Sequence, residues 1–283
     1  MITGGVDLAA DPRRTALCTI DWSTGEVELS DAPVGDDEIV ALAHRATLSG
    51  WDVPLGWPDA FVAALGEHHP GPAAGEGVPE AGPGARRLMR YRLTDRRFAR
   101  HSPNGRWPLS VSTDLIGVPA LRAAALQRRL CDEGLIVDRA GTAGVVAETY
   151  PAGTLAAWAL PSRGYKGAAG RDLRAGMVDL LTEALPRLEW TEALRALMVA
   201  SDDRLDALVC ALVARAVATD RGTPPPADDL AVARREGGST SQGSARPIYT
   251  TAERRFGRTR MSPGLEVGDK FASRDDVTRM EAG

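Results

Sequence analysis

Short apolar segments separated by turn residues dominate the start of the chain, a pattern typical of β-strands joined by tight connections. Residues 2–10 are apolar and glycine-rich and predict a buried strand. Residues 14–22 and 26–30 also carry apolar positions at strand spacing, and the turn signal Trp22-Ser23-Thr24-Gly25 lies between them. This spacing predicts a hairpin that follows the first strand directly, which gives three consecutive antiparallel strands.

Helical spacing of apolar residues begins at residue 36 and is interrupted by two more predicted strands. The first helix is expected at residues 36–47, with acids in its first turn, and a fourth strand follows at 48–54. A fifth, short strand is expected at 145–148. Further helices are expected at 59–67, 114–131, 154–160, 171–185, 191–199, 201–218 and 229–236. The pattern predicts an α/β domain with a mixed five-stranded sheet flanked by helices.

Composition divides the 283 residues into one folded domain and two low-complexity regions. Residues 68–85 are mainly Pro, Gly, Ala and Glu and predict a flexible loop, and residues 238–283 are polar and predict a disordered tail. The domain is therefore expected at 1–237. No apolar run is long enough for a membrane span and no signal-peptide pattern is present, so we expect a cytoplasmic protein. The cysteines, Cys18, Cys131 and Cys210, lack metal-binding spacing and are expected to be buried thiols.

The net charge of −4 argues against a surface that binds nucleic acid everywhere, but the charge is unevenly distributed. Residues 86–106 contain eight arginines and a single acid, Asp95. A local basic segment of this kind can bind a phosphate backbone, although a solvated arginine-rich surface would have the same composition. Nucleic acid is thus a candidate partner.

Carboxylates stand at positions where strands and helices normally carry apolar residues. Asp7 lies within the first predicted strand, Asp52 and Glu148 end the fourth and fifth strands, and Asp203 and Asp206 share one side of a helix start. A solvent-facing or capping role is the alternative for each of them. Clustered acids without His or Cys suit Mg²⁺ or Mn²⁺, and two such ions support phosphodiester hydrolysis. In that arrangement Asp7 bridges both ions, and Asp52 and one of Asp203 and Asp206 hold one each.

Several short motifs, taken together, resemble a known family. They are Gly5-Val6-Asp7-Leu8-Ala9, Trp51-Asp52-Val53-Pro54-Leu55-Gly56, Arg92-Leu93-Thr94-Asp95, Glu148-Thr149-Tyr150-Pro151, Tyr165-Lys166 and Asp203-x-x-Asp206-Ala207. The combination resembles domain of unknown function 429, a family of predicted ribonuclease H-like nucleases, from about Ile2 to Gly237. The segment from Asp203 to Leu208 also resembles the last-helix motif of RuvC-type resolvases. Trp51, where the family has a small apolar residue, and the segment after Gly237 depart from the family pattern.

The resemblance implies a ribonuclease H-like fold and a metal-dependent nuclease in which Asp7, Asp52, Glu148, Asp203 and Asp206 are catalytic. It further implies that Arg92 and Lys166 contact phosphate, with a salt bridge between Arg92 and Asp95 as an equal alternative. For Glu148, the alternative to a catalytic role is that it orients Tyr150 or an arginine.

Two other functional classes remain open. One is an actin-like or sugar-kinase-type ATPase, which would require a second glycine-rich phosphate loop that the sequence lacks outside its low-complexity regions. The other is a non-catalytic nucleic-acid-binding module on the same fold. A dinucleotide-binding fold is disfavoured, because Thr3-Gly4-Gly5 has no GxGxxG continuation and a hairpin follows it.

Overall fold

The computed structural model describes residues 1–68, 83–101 and 107–238. Within them a five-stranded mixed sheet has the order β3-β2-β1-β4-β5. The strands are β1 Ile2–Asp7, β2 Ala16–Asp21, β3 Val27–Leu29, β4 Leu48–Asp52 and β5 Val146–Glu148. Strands β1, β2 and β3 pair antiparallel, whereas β4 and β5 run parallel to β1. This confirms the predicted α/β class and mixed sheet, and it is consistent with a ribonuclease H-like fold.

Ten α-helices accompany the sheet in the described residues. They are α1 Asp36–Arg45, α2 Asp59–His68, α3 Pro83–Arg90, α4 Leu93–His101, α5 Gly117–Asp132, α6 Pro151–Ala157, α7 Arg171–Ala184, α8 Glu192–Ala200, α9 Asp202–Ala218 and α10 Leu230–Glu236. Within the described ranges, none of them is long and apolar enough to cross a membrane.

Helix α9 covers one face of the sheet, where it contacts β1, β2 and β4. Nearly every residue from Leu205 to Ala216 is buried. The β-strands pack against one side of α9, and helices α6 and α8 pack against its other sides. Helices α1 and α5 cover the opposite face, where Val6 and Trp51 belong to a core that includes Leu42 and Leu126. The central strand β1 is thus enclosed on both faces.

Two helix starts differ from the predictions by three residues, and two helices were not predicted. Helix α5 begins at Gly117 rather than 114, because the Asp114 carboxylate accepts a hydrogen bond from the Ser110 amide in a turn (2.6 Å). Helix α6 begins at Pro151, a residue well suited to a first helical position. Helices α3 and α4 occupy the arginine-rich segment, for which the apolar pattern predicted no element.

Other sequence-based expectations meet the structure only in part. Cys18 and Cys210 are buried, as expected, but Cys131 is exposed near the end of α5. Most of the predicted loop at 68–85 and all but the first residue of the predicted tail at 238–283 lie outside the described residues.

Candidate active site

Two aspartates end the two central parallel strands. Asp7 is the last residue of β1, Asp52 is the last residue of β4, and the two are direct partners in the parallel register. Because side chains alternate along a strand, Asp7 shares a face with Gly5 and Asp52 shares a face with Gly50. The two aspartates therefore lie side by side on the face that α9 covers.

Glycines on that face allow α9 to lie directly on the strands. A Cβ atom on Gly5 would overlap the Ala207 carbonyl oxygen, and one on Gly50 would overlap the Cys210 carbonyl oxygen. This close approach brings Asp206, in the second turn of α9, to the ends of β1 and β4. Asp206 is fully buried, so the three carboxylates come from three elements that are packed rigidly together.

The pKa values show that these carboxylates interact with one another. Burial, followed by repulsion from Asp52 and Asp206, raises the pKa of Asp7 well above its usual value. Burial and repulsion from Asp206 raise the pKa of Asp52 to about 7. Burial also raises the pKa of Asp206, although its hydrogen-bonding partners act in the opposite direction. Positive charge placed at this site would relieve the repulsion.

Asp206 is held by two neighbouring residues of the loop between α6 and α7. The Tyr165 hydroxyl donates a hydrogen bond to Asp206 Oδ1 (2.9 Å), and Lys166 Nζ lies 2.8 Å from Asp206 Oδ2. Tyr165 is buried, whereas the Lys166 side chain is 55% exposed and reaches the carboxylates from the surface. Burial acts to lower the pKa of Lys166, but attraction by Asp206 and Asp52 raises it overall.

A residue that the sequence analysis did not single out, Arg174 on α7, fixes this loop. Its guanidinium donates to the carbonyl oxygens of Tyr165 (2.5 Å) and Gly167 (2.7 Å), the residues on either side of Lys166. It also donates to the Val199 carbonyl oxygen (3.0 Å), just before α9. Arg174 is buried and lies on the same helical face as Met177, Val178 and Leu181, and an arginine on such an apolar face is the signal that sequence reasoning had available.

Asp203 lies at the edge of this group. Its carboxylate is 3.6 Å from Arg14 Nε, and its side chain is one quarter exposed. Burial and repulsion from Asp202 raise the pKa of Asp203. Of the two acids that the helix motif offered, Asp206 is the one that the structure places against Asp7 and Asp52.

Glu148 and Arg92 form a second buried cluster, from which the Glu148 charge also contributes to the raised pKa of Asp52. Glu148 is the register partner of Trp51, one residue before Asp52, and so faces the opposite side of the sheet from Asp7 and Asp52. Its carboxylate accepts two hydrogen bonds from Arg92, both of 2.7 Å. Arg92 also pairs with Asp95 at 3.1 Å, which is the salt bridge that the sequence allowed.

This cluster leaves Arg92 no group to offer a phosphate. Arg92 is only 4% exposed and its remaining contact is the Glu236 carbonyl oxygen (3.2 Å). Burial acts to lower the pKa of Arg92, but attraction by Asp95 and Glu148 raises it overall. The structure thus pairs Arg92 with Glu148 and Asp95, whereas the phosphate contact of Arg92 and the catalytic role of Glu148 stay predictions. Of the two predicted phosphate contacts, only Lys166 lies beside the aspartates.

An open pocket of about 480 Å³ lies beside Lys166. It is lined by Ala152, Ser162, Arg163, Gly164, Tyr165 and Lys166. Arg163 is exposed and makes no ion pair within the part of the chain that the structure describes. The pocket thus presents two cationic side chains, of which Lys166 also contacts Asp206.

Comparison with known proteins gives one match. The family model described as protein of unknown function (DUF429) matches residues 5–231. The chain belongs to the DUF429 family. The matched range contains the aspartates of all three elements together with Tyr165 and Lys166. No curated protein and no solved structure gives a significant match to this DUF429 protein.

The carboxylates of this DUF429 protein offer oxygen ligands, which are the ligands that Mg²⁺ requires. Among the described residues, no three His, Cys, Asp or Glu side chains are arranged to hold a metal ion. Asp7 and Asp52 nevertheless offer paired carboxylates, and Mg²⁺ is commonly held by one or two carboxylates with waters in the remaining positions. The residues therefore fit a single hard divalent ion on Asp7 and Asp52, while Asp206 is engaged by Tyr165 and Lys166.

Proposed function

We propose that this DUF429 protein is a metal-dependent nuclease that hydrolyses phosphodiester bonds. The observation that carries the proposal is the meeting of Asp7, Asp52 and Asp206 at the carboxyl ends of two parallel strands, with Lys166 beside them. Carboxylates whose pKa values are raised by burial and by one another are candidates for a chemical role.

Each residue then has a defined task. Asp7 and Asp52 would hold a Mg²⁺ or Mn²⁺ ion. When bound, that ion would supply positive charge for a phosphate and lower the pKa of a water molecule. Tyr165 holds the Asp206 carboxylate in position through its hydroxyl group. Lys166 and Arg163, which line the adjacent pocket, are placed to attract a phosphate group and orient it toward the aspartates.

Nucleic acid is the substrate class that the surface favours. In the described part of the chain, Arg86, Arg87, Arg90 and Arg100 are exposed and form no ion pairs with carboxylates. Arg87 lies over the Trp107 ring (4.4 Å to its centre), and that ring lies against Tyr91 (4.7 Å between ring centres). Exposed arginines interleaved with aromatic rings are typical of surfaces that bind nucleic acid strands.

The test is cleavage of labelled substrates by the purified protein. Single-stranded and duplex DNA, RNA, an RNA–DNA hybrid and a four-way junction are each incubated with Mg²⁺, with Mn²⁺ or with chelator. We expect cleavage of at least one substrate only when metal is present, and a loss of about 100-fold or more in Asp7→Asn, because loss even of a group that supports a metal ligand typically costs about 10–100-fold.

The matched control is Asp11→Asn, which removes an exposed carboxylate four residues further along the chain. Asp11 pairs with Arg13 (2.6 Å) rather than with the aspartates of the site. We expect its cleavage rate to stay within about twofold of wild type, as for surface changes generally. Metal-dependent cleavage that survives in folded Asp7→Asn would overturn the proposal, as would a wild-type protein that binds metal but cleaves none of the substrates.

A further inference from the structure

The ammonium group of Lys166 supplies positive charge to the three aspartates. Lys166 Nζ lies 2.8 Å from Asp206 Oδ2, and attraction by Asp206, Asp52 and Asp7 holds the lysine in its charged form. The Tyr165 hydroxyl contacts both oxygens of Asp206, at 2.9 and 3.3 Å. Both oxygens of Asp206 are therefore already in contact with donors.

We infer that the ammonium group of Lys166 takes the place of a second metal ion, so that the site binds one divalent cation, on Asp7 and Asp52. This refines the two-ion arrangement expected from the sequence. The role of that cation in catalysis rests on the proposed function, but the number of ions bound does not depend on it.

The net charge of the site supports one ion. When a cation binds, the carboxylates of Asp7, Asp52 and Asp206 are ionised, and together with the Lys166 ammonium they leave two negative charges, which a single divalent cation neutralises. Asp203 lies at the edge of the site, 3.6 Å from the exposed Arg14. A second divalent cation would leave two excess positive charges in a largely desolvated site, which is strongly unfavourable.

The backbone around Lys166 is fixed, so the ammonium group is not simply the end of a mobile surface side chain. The Arg174 Nη1 donates to the carbonyl oxygens of Tyr165 (2.5 Å) and Gly167 (2.7 Å), on either side of Lys166. Gly164 and Gly167 have positive φ angles of 74° and 72°, a conformation that other residues adopt only with strain. The backbone that carries Lys166 toward Asp206 is thereby held by contacts of its own.

The test counts bound ions directly. Isothermal titration of Mn²⁺ into the metal-free protein, with electron paramagnetic resonance of the unbound Mn²⁺, gives the stoichiometry without any substrate. We expect one Mn²⁺ per chain for wild type and two for Lys166→Met, which keeps the length of the side chain but removes its charge. Lys166→Arg and the neighbouring Arg163→Met should each keep one.

Two further variants keep the test informative if Lys166→Met does not fold. Asp206→Asn should still bind one Mn²⁺, because the inferred ion lies on Asp7 and Asp52, whereas Asp52→Asn should weaken its binding at least tenfold. Two ions in wild type, one ion in folded Lys166→Met, or loss of the ion in Asp206→Asn would each overturn the inference. One ion in wild type and two in Lys166→Met, with no cleavage of any nucleic acid, would support the inference while removing the proposed function.

Discussion

Two groups of acids lie on opposite faces of the same sheet, and they are neutralised in different ways. Around Arg92, the carboxylates of Glu148 and Asp95 each accept two hydrogen bonds from one buried guanidinium group. Around Asp206, three carboxylates share a single ammonium group that approaches from the surface. The first cluster is satisfied by protein alone, whereas the second is short of positive charge.

This contrast separates acids that pair with a buried cation from acids that repel one another. The Arg92 cluster links distant parts of the chain, since Glu148 also accepts the Leu55 amide (3.0 Å) and Glu236 accepts the amides of Asp59 (2.9 Å) and Leu93 (2.6 Å). The aspartate site makes few such links and instead carries unrelieved repulsion. Repulsion among the carboxylates of Asp7, Asp52 and Asp206 favours the binding of a cation, because the cation would reduce it.

The largest effect on stability is expected from Arg92→Met. The change leaves Glu148 and Asp95 buried without a counter-charge, which typically lowers the free energy of unfolding by about 3–5 kcal/mol. Urea denaturation followed by circular dichroism measures the loss. A matched change at the surface, Arg128→Met, removes only an exposed pair with Asp132 and should change stability by less than about 1 kcal/mol. Equal stability of Arg92→Met and wild type would contradict the structural role.

A smaller loss is expected from Glu148→Gln. The glutamine retains one oxygen acceptor but turns an amide group toward the Arg92 guanidinium, so that one charge-assisted hydrogen bond is lost, at a cost of about 1.5–3 kcal/mol. Urea denaturation measures this change as well. If Glu148 instead belonged to the metal site, the variant would keep its stability and lose Mn²⁺ affinity.

The sheet and most helices could be predicted because their apolar residues recur at strand or helix spacing. Helices α3 and α4 could not, since their segment is dominated by arginine and has little apolar pattern. They are anchored by polar contacts to distant residues, such as the Ser110 hydroxyl donating to the Arg90 carbonyl oxygen (2.7 Å) and the Glu236 carboxylate at the start of α4. Contacts of this kind between distant segments leave no local periodicity.

The candidate site shows a similar division. Asp7, Asp52 and Asp206 could be selected from strand ends, helix spacing and resemblance, and the structure brings them together. Glu148 has the same signature of a strand-end acid, but its position opposite Trp51 instead of Asp52 turns it to the other face. A shift of one residue in register decides this, and the sequence of a single strand does not contain its register.

An effect of the opposite sign is expected from Asp52→Asn in the absence of divalent metal. Folding raises the pKa of Asp52 from 3.8 to about 7, through burial and repulsion from Asp206. The native state therefore binds a proton more tightly than the unfolded chain, and this contribution to stability is lost as pH rises from about 4 to about 7. Asparagine carries no charge, so the variant should be more stable than wild type at pH 8, by at most about 4 kcal/mol at about 1.4 kcal/mol per pKa unit.

Denaturation at pH 8 and at pH 4 measures this difference, which should shrink at the lower pH because the wild-type carboxyl group is then increasingly protonated. Asp11→Asn provides the opposite control. Its hydrogen bonds with Arg13 lower the pKa of Asp11 to about 2, so its removal should cause no gain in stability at pH 8. Saturating Mn²⁺ should reverse the order of wild type and Asp52→Asn, since only wild type retains both carboxylates for the ion. A destabilised Asp52→Asn without metal would show that both acid clusters serve the fold.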